Sequence, residues 1–469
     1  MRVFAIAVFA LFVLPVAAEA RAGGPAPEPA WRYEVQVGAG ARELTILATL
    51  AAGAPEELSV ESGAEPFVRN VELEDYGHWQ PLKPRGTSWF APSCTQRGCR
   101  LRYRFLLAKA VDAMDSEVAE WAGPAIQSPP STWLLHPLGA GAGARYRFHV
   151  RSPVGLRFVS GVHPGPGDDV YEADVSDLPD APYSAFGPLT TVELESHGGK
   201  LQLAFVPGKR ALTDADVQRW VTLAADAVGR YYGRFPVDRV LILVRPQPGD
   251  ETNGRTLGNG GASIMLSVGE SLTAAELPHD WVLTHELFHT AFPSVPRPQA
   301  WIEEGLATYL EPIARARAGQ LSPEVVWGDM LHGLPNGLPQ PGDRGLDHTQ
   351  TWGRLYWGGA LYCLLADVEI RERTHNTKSL DDALRGIVAA GGNINVRWSL
   401  DAALAAGDRA LGISVLVPLR KQLGDTPATT DLRALSARLG VRLDGKTVHF
   451  DDSAELAAIR RAITRPTAP

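Results

Sequence analysis

Residues 285 to 290 read HELFHT, and residues 301 to 311 read WIEEGLATYLE. Residues four positions apart lie on one face of a helix, so His285 and His289 can present two imidazole nitrogens to one metal ion. Glu286 follows the first histidine, where its carboxylate can reach a water on the metal without binding the metal itself. The pattern HExxH therefore predicts one Zn2+ ion, with Glu286 as the general base.

The alternative interpretation is a solvated helix face that carries His and Glu by chance. The motif is preceded by apolar Trp281, Val282 and Leu283, which favour a buried helix. Unpaired His and Glu side chains would be costly in such a helix, so the context favours the metal site.

A third ligand is required, and Glu304 on the following helix is the best candidate. A turn rich in proline separates the two helices and can reverse the chain. Glu303 points about 100° away around the helix, so both carboxylates cannot bind the ion. Glu311 lies about two turns after Glu304 on the same face, where it can orient a ligand histidine or form a salt bridge.

The first 22 residues have the features of a secretion signal. Arg2 precedes an apolar run from Val3 to Val16, and small residues follow at the spacing that a signal peptidase needs. The run is too short and too interrupted to favour a membrane anchor, and no later segment is apolar for long enough to span a bilayer. We therefore expect a periplasmic or secreted protein without stable membrane insertion.

Charge excludes one class of partner. The formal net charge is −8 and no run of Lys and Arg is present, which argues against nucleic acid.

Cys94 and Cys99 lie close together in CTQRGC, and export favours a disulfide over two free thiols. Cys363 lies in an apolar helical stretch and is predicted to be a buried small side chain.

The pattern of β-forming and helix-forming residues predicts an α+β multidomain protein. Residues 23–206 alternate in the manner of an antiparallel β-sandwich; in RLRYRF, for example, Leu101, Tyr103 and Phe105 share one face. Residues 207–425 are predicted to form a mainly helical catalytic domain with a thermolysin-like fold, and residues 426–469 a helical extension packed on it. Predicted helices cover 279–291, 299–317, 354–374 and 379–390, and 332–345 is predicted to be a long surface loop.

With these residues in place, the chain resembles the gluzincin metallopeptidases, in which HExxH is followed on a second helix by W-x-x-E-G. HELFH and WIEEG supply both halves, and the resemblance implies His285, His289 and Glu304 as ligands and Glu286 as base. The stretch LYWGGALYCLLADVEIRERTHNTKSLDDALRGI and the segment STWLLHP resemble the glycyl-aminopeptidase family, metallopeptidase family sixty-one, without its PDZ domain. In that family a tyrosine binds the oxyanion, which implies this role for Tyr356.

The helical spacing of the residues around Tyr356 allows a structural role for this side chain instead of a catalytic one. With Ala360 and Cys363 it forms a helical stripe, and such stripes are usually core packing. A similar choice concerns the glycine strand GGASIML. If it is an exposed edge, Gly260, Gly261 and Ala262 can pair with an extended peptide; otherwise it is a core strand.

We expect a zinc-dependent peptidase that acts on peptide or protein substrates, with an aminopeptidase-like reaction as the first hypothesis. In the related family the glycine strand carries a Glu that binds the free amine of the substrate, and GGASIML has none. The alternatives are therefore an endopeptidase, another gluzincin-type hydrolase without free-amine recognition, or a non-catalytic peptide-binding protein. The sequence predicts no oligomeric state.

Overall fold

The computed structural model describes residues 28–114, 119–141 and 143–466. The predicted secretion signal lies outside these residues. Within them, a first region consists mostly of β-sheet and a second region is mostly helical. No helix in the described ranges is long and apolar enough to cross a bilayer.

The first region contains fourteen described strands and three short helices. The strands are β1 (Trp31–Val37), β2 (Leu44–Leu50), β3 (Glu57–Ser59), β4 (Val68–Asp75), β5 (His78–Pro81), β6 (Trp89–Phe90), β7 (Cys99–Phe105), β8 (Glu120–Ala122), β9 (Ala125–Gln127), β10 (His136–Pro137), β11 (Arg145–Arg151), β12 (Arg157–Ser160), β13 (Val170–Asp174) and β14 (Ser184–Gly187). The helices are α1 (Pro92–Arg97), α2 (Leu107–Val111) and α3 (Pro130–Trp133).

The largest sheet of this region has the strand order β13-β11-β1-β2-β7-β4-β5, and two smaller sheets have the orders β10-β3-β6 and β12-β14-β9-β8. In β7 the predicted alternation is confirmed, because Leu101, Tyr103 and Phe105 are buried while the arginines between them are exposed. The predicted antiparallel arrangement needs one correction. Strands β1 and β11 run parallel, which is possible because a long connection separates them along the chain.

Cysteines Cys94 and Cys99 are joined by a disulfide between α1 and the start of β7. The predicted bond is therefore present in the structure. Cys363 is buried and free, also as predicted.

The second region begins with a five-stranded sheet and continues with helices. Its strands are β15 (Thr190–Ser196), β16 (Gly199–Phe205), β17 (Arg239–Gln247), β18 (Thr252–Leu257) and β19 (Ser263–Gly269), followed near the C-terminus by the hairpin β20 (Val441–Asp444) and β21 (Thr447–Phe450). Its helices are α4 (Asp214–Tyr232), α5 (Val282–His289), α6 (Trp301–Arg317), α7 (Pro323–Gly333), α8 (Gly359–Arg373), α9 (Leu380–Ala389), α10 (Leu400–Leu411), α11 (Leu416–Gly424), α12 (Leu432–Leu439) and α13 (Ala457–Ile463).

Two predicted boundaries need correction. Strands β15 and β16 belong to the sheet with order β15-β16-β17-β19-β18, so the predicted limit at residue 206 is too late. Their alternating pattern looks the same as that of the first region, and only the pairing of β16 with β17 assigns them. The extension 426–469 is not purely helical either, because β20 and β21 form a hairpin inside it.

Helix α4 shows how local sequence fixes an element that supports the site. Thr213 and Asp216 form a capping box, with the Thr213 N–H donating to Asp216 Oδ2 at 2.9 Å. At its other end Tyr231 donates to Asp381 at 2.7 Å, and Arg317 of α6 binds the same carboxylate at 2.5 Å. These buried contacts connect α4, α6 and α9 within the helical core.

Candidate metal centre

Helices α5 and α6 bring three potential ligands together. His285 and His289 lie one turn apart on α5, and their ring centroids are 4.9 Å apart. Glu304 lies in the first turn of α6 and its Oε2 is 3.2 Å from His285 Nε2 and 3.7 Å from His289 Nε2. One donor atom from each residue lies within 4.8 Å of the others.

Two imidazole nitrogens and one carboxylate oxygen are the ligand types that zinc takes in catalytic sites. His285 is almost fully buried and Glu304 is partly buried, so three polar groups meet where solvent cannot compensate all of them. The residues therefore fit a divalent metal ion in donor type and in spacing.

The electrostatics of the cluster suit metal binding. Burial alone would raise the pKa of Glu304, but His289, His285 and Tyr356 outweigh burial and lower that pKa to about 2. Burial lowers the pKa of His289. An ionised carboxylate and a neutral imidazole are the forms that bind a cation.

Glu286 is held by the strand β18. The Thr256 hydroxyl donates to Glu286 Oε2 at 2.6 Å. Gly254, two positions earlier on the same face, leaves room for this side chain, since a Cβ at residue 254 would lie 2.3 Å from Glu286 Cγ. Burial raises the pKa of Glu286, and His289 and Thr256 reduce that rise. A buried carboxyl beside a metal centre suits proton transfer.

Sequence reasoning missed both Thr256 and Gly254. The signal that was available is the single glycine inside the strand-like run TNGRTL, because a glycine in a strand often marks the close approach of another group. The partner on α5 could not be read from that run.

Tyr356 reaches the cluster from a turn of π-helix, Arg354–Gly358, at the start of α8. Its ring stacks on that of His285 with centroids 5.9 Å apart. Burial and the negative charge of Glu304 raise the pKa of Tyr356, so its hydroxyl stays protonated at neutral pH. A π-turn at this point is typical of functional sites.

The close packing of α8 on α6 places this tyrosine. A Cβ on Gly359 would lie 2.1 Å from the Trp301 carbonyl oxygen and 2.7 Å from Gly305 Cα, so only a glycine allows the two backbones to approach. Glu304 and Tyr356 therefore come from adjacent backbones in direct contact.

Glu311 pairs with an arginine in the structure, whereas one expectation was that it would orient a ligand histidine. Its carboxylate accepts from Arg315 Nη1 at 2.7 Å, and burial raises the pKa of Glu311 to about 7 despite that arginine. Arg315 also donates to the Pro278 carbonyl at 2.5 Å. His285 Nδ1 has no hydrogen-bond partner among the described residues, and the hydrogen bond that the Glu311 carboxylate makes is to Arg315 rather than to a histidine. The salt-bridge alternative holds, although the pair is buried.

The glycine strand is also not an edge. Gly260, Gly261 and Ala262 lead into β19, which pairs with β17 on one side and β18 on the other. Ala262 N–H donates to the Gly161 carbonyl at 3.0 Å, and His163 N–H donates to the Gly260 carbonyl at 3.1 Å. The main chain of these residues is therefore already hydrogen-bonded within the protein, and the edge strand on this side of the sheet is β18.

Asp347, two residues after the predicted surface loop 332–345, forms hydrogen bonds with the start of α6. This buried carboxylate accepts from Trp301 Nε1 at 2.9 Å and from Gln299 Nε2 at 3.3 Å, and it pairs with Arg420 of α11. Trp301 begins α6, three residues before Glu304. Asp347 therefore connects the loop and α11 to the helix of the third candidate ligand.

Solved structures are similar to this chain over most of its length. An aminopeptidase N family protein from Idiomarina loihiensis superposes with a TM-score of 0.65 at 16% identity, covering 88% of this chain and 78% of that one. An M1 zinc metallopeptidase from Deinococcus radiodurans, in a mutant form bound to a Tyr-Ser-Ala substrate, superposes with a TM-score of 0.55 at 15% identity, covering 85% of this chain and 94% of that one.

The chain therefore has a fold similar to that of these two solved structures. No family model matches the chain, and no curated protein matches it. At such identities the superpositions establish the fold alone, so activity must be argued from the site.

Proposed function

We propose that the protein is a zinc-dependent peptidase that hydrolyses peptide bonds. The observation that carries this proposal is the convergence of His285, His289 and Glu304 beside a buried Glu286. A zinc ion held by these three side chains would polarise the scissile carbonyl and acidify a water. The M1 neighbours support the same chemistry at the level of the fold.

The chain's own residues supply the proton transfers. The oxygen of the attacking water adds to the carbonyl carbon while Glu286 takes a proton from that water. Glu286 later delivers the proton to the leaving amine. Thr256 fixes the Glu286 carboxylate by its hydrogen bond of 2.6 Å. The protonated Tyr356 hydroxyl donates to the developing oxyanion, a contribution commonly worth a few kcal/mol.

Strand β18 is the surface that an extended peptide would use. It pairs with β19 along one edge and is the last strand of its sheet, so its other edge can add a peptide strand. Thr256 and Gly254 on β18 contact Glu286, which places a peptide paired there next to the proposed base.

Aminopeptidase-like action is our first candidate, because the neighbour with the highest superposition score given above is an aminopeptidase N family protein. One observation favours endopeptidase action as the second candidate. The edge strand reads TNGRTL and contains no acidic residue that could pair with a free amine. The finer resemblance to the glycyl-aminopeptidase family and export to the periplasm or medium remain part of this proposal.

The test begins with zinc analysis of the purified chain lacking residues 1–22. Wild type, Glu286→Gln and the exposed control Glu324→Gln are then given a peptide library with free or acetylated N-termini, and products are identified by mass spectrometry. We expect cleavage by wild type and the control, and loss with Glu286→Gln at unchanged zinc content. Activity that survives Glu286→Gln overturns the proposed base. Cleavage of acetylated peptides at internal bonds establishes the endopeptidase.

A further inference from the structure

Four aromatic rings follow one another through the candidate metal centre. Trp352 stacks on Tyr356 with centroids 6.0 Å apart, Tyr356 stacks on His285 at 5.9 Å, and Trp281 meets His285 edge to face at 5.2 Å. The two inner rings belong to a candidate ligand and to the proposed oxyanion donor. We refer to Trp281, His285, Tyr356 and Trp352 as the aromatic row.

The two ends of the row are exposed while its middle is not. Trp352 is 61% exposed and Trp281 is 50% exposed, whereas His285 is 3% exposed. A large indole left in solvent costs free energy that a bound apolar group would recover. These two are among only a few large apolar side chains that the described residues expose to this degree.

The two indoles come from separate elements on either side of the candidate ligands. Trp281 immediately precedes α5, and Trp352 lies one turn before Tyr356 in the segment that leads into α8. Along the row, His285 and Tyr356 lie between the two indoles, so a peptide bound at the polar atoms of these two residues would have one indole on each side.

We propose that Trp281 and Trp352 are specificity-determining residues, which select peptides carrying an aromatic side chain next to the scissile bond. This proposal rests on the proposed peptidase function. It assigns one indole to each side of the bond. Ring stacking supplies the selectivity, since an aromatic side chain gains both buried area and an offset or edge-to-face contact.

The charges around the row disfavour a cationic side chain as the occupant. The face of an indole attracts a cation, and a free carboxylate nearby would strengthen that attraction by a Coulomb interaction. Glu286 is bound to Thr256 and Glu304 to the two histidines. Asp280, the acid next to Trp281, is largely buried and accepts from the Leu283 N–H at 3.3 Å.

The experiment compares wild type, Trp281→Ala, Trp352→Ala and the conservative Trp352→Phe in the zinc-loaded chain. Tyr76→Ala is the control, because Tyr76 is an exposed aromatic on the distant β4–β5 turn. Matched peptides differ only by Phe, Ala or Lys on either side of the cleaved bond. The measured quantity is the ratio of kcat/KM for the Phe peptide to that for the Ala peptide.

We expect wild type to favour Phe by about tenfold or more. Trp281→Ala and Trp352→Ala should each bring the ratio close to one at a single flanking position, while Trp352→Phe and Tyr76→Ala preserve it. A purely structural role of either indole would lower both rates together and leave the ratio intact. That result, or a preference for Lys or Ala in wild type, overturns the proposal.

A second measurement separates this proposal from the peptidase itself. Calorimetry of zinc-loaded Glu286→Gln with the same peptides reports binding without turnover. Tighter binding of Phe peptides that Trp352→Ala abolishes supports the aromatic sites, even if wild type cleaves nothing and the peptidase proposal fails. Equal binding of Phe and Ala peptides overturns the aromatic sites, whatever the activity.

Discussion

Thr256 of the edge strand donates its hydroxyl hydrogen to Glu286 of the HExxH helix across 2.6 Å. The same hydroxyl lies 3.1 Å from the Glu286 main-chain carbonyl. This side chain therefore connects the strand on which we expect the peptide to lie with the residue that we expect to move the proton. One contact therefore joins the proposed base to the strand on which the peptide is proposed to bind.

Replacing Thr256 by Val should lower kcat/KM by roughly 10- to 100-fold, because a hydrogen bond to a charged group is lost while the shape is kept. Zinc content should not change, since Thr256 does not reach the ligands. Steady-state kinetics and metal analysis measure the two effects. Thr45→Val, an exposed strand position in the first region, is the matched control, and an equal loss there would contradict the assigned role.

Replacing Glu304 by Gln should weaken zinc binding by at least about 100-fold, because a neutral amide replaces the ionised ligand. Competition with a chromophoric chelator measures the affinity. Zinc should also raise the Tm of wild type and not that of the variant, since an ion bound only by the folded state stabilises it. Equal affinities for the two proteins would exclude Glu304 as a ligand.

Replacing Glu311 by Gln should leave zinc affinity unchanged and destabilise the fold by about 2 kcal/mol, because Arg315 loses its buried partner. Urea unfolding followed by circular dichroism gives the free energy of unfolding. A drop in zinc affinity at full stability would instead support the role in ligand orientation that the sequence suggested.

Helical spacing allowed the candidate ligands to be predicted from sequence, because His285, His289 and Glu304 lie on two neighbouring helices joined by a short turn. The periodicity of α5 and α6 places these residues on one face of each helix, and the turn between the helices allows the two faces to meet. The face on which Glu311 lies was also predicted, but its partner was not. Arg315 competes for that carboxylate from the next turn, and burial of the pair gives this contact the advantage.

Strand order could not be read in the same way. The glycines at 260 and 261 suggested an open edge, yet the main chain of residues 260–262 bonds to Gly161 and His163 of the first region, about a hundred residues away. The inner position of β19 depends on its parallel pairing with β17, which is distant along the chain, and the packing of Asp347 against Trp301 depends on a contact of the same kind. Neither leaves a local periodic signal.

Asp177 provides a test of pH dependence at the contact between the two regions, where its side chain lies against Gly260. Burial, with the nearby charge of Asp174, raises the pKa of Asp177 to about 6. A carboxyl whose pKa is higher in the folded protein binds more protons there, so the stability it contributes is present below about pH 4 and is lost as pH rises through 6.

Asp177→Asn removes this charge, and the variant should therefore gain stability over wild type at pH 7.5 relative to pH 4. Urea midpoints at the two pH values measure the difference. Asp168→Asn, at an exposed position nine residues earlier in the chain, controls for the loss of a carboxylate as such. A gain that is larger at pH 4 would have the wrong sign and would reject the assigned cause.

Replacing Gly254 by Ala should disable the proposed base without removing the metal site. The added Cβ would lie 2.3 Å from Glu286 Cγ and 2.9 Å from its Oε1, so the carboxylate must leave its bond with Thr256 or β18 must move. We expect kcat/KM to fall by about 100-fold, comparable to the loss of a positioned general base. Zinc titration should give the wild-type affinity, because His285, His289 and Glu304 lie outside this contact.

Gly141→Ala, at a glycine with open space around it, controls for the loss of a glycine as such. Full activity of Gly254→Ala would mean that Glu286 does not need the position in which β18 holds it, and the link between the edge strand and the base would have to be abandoned.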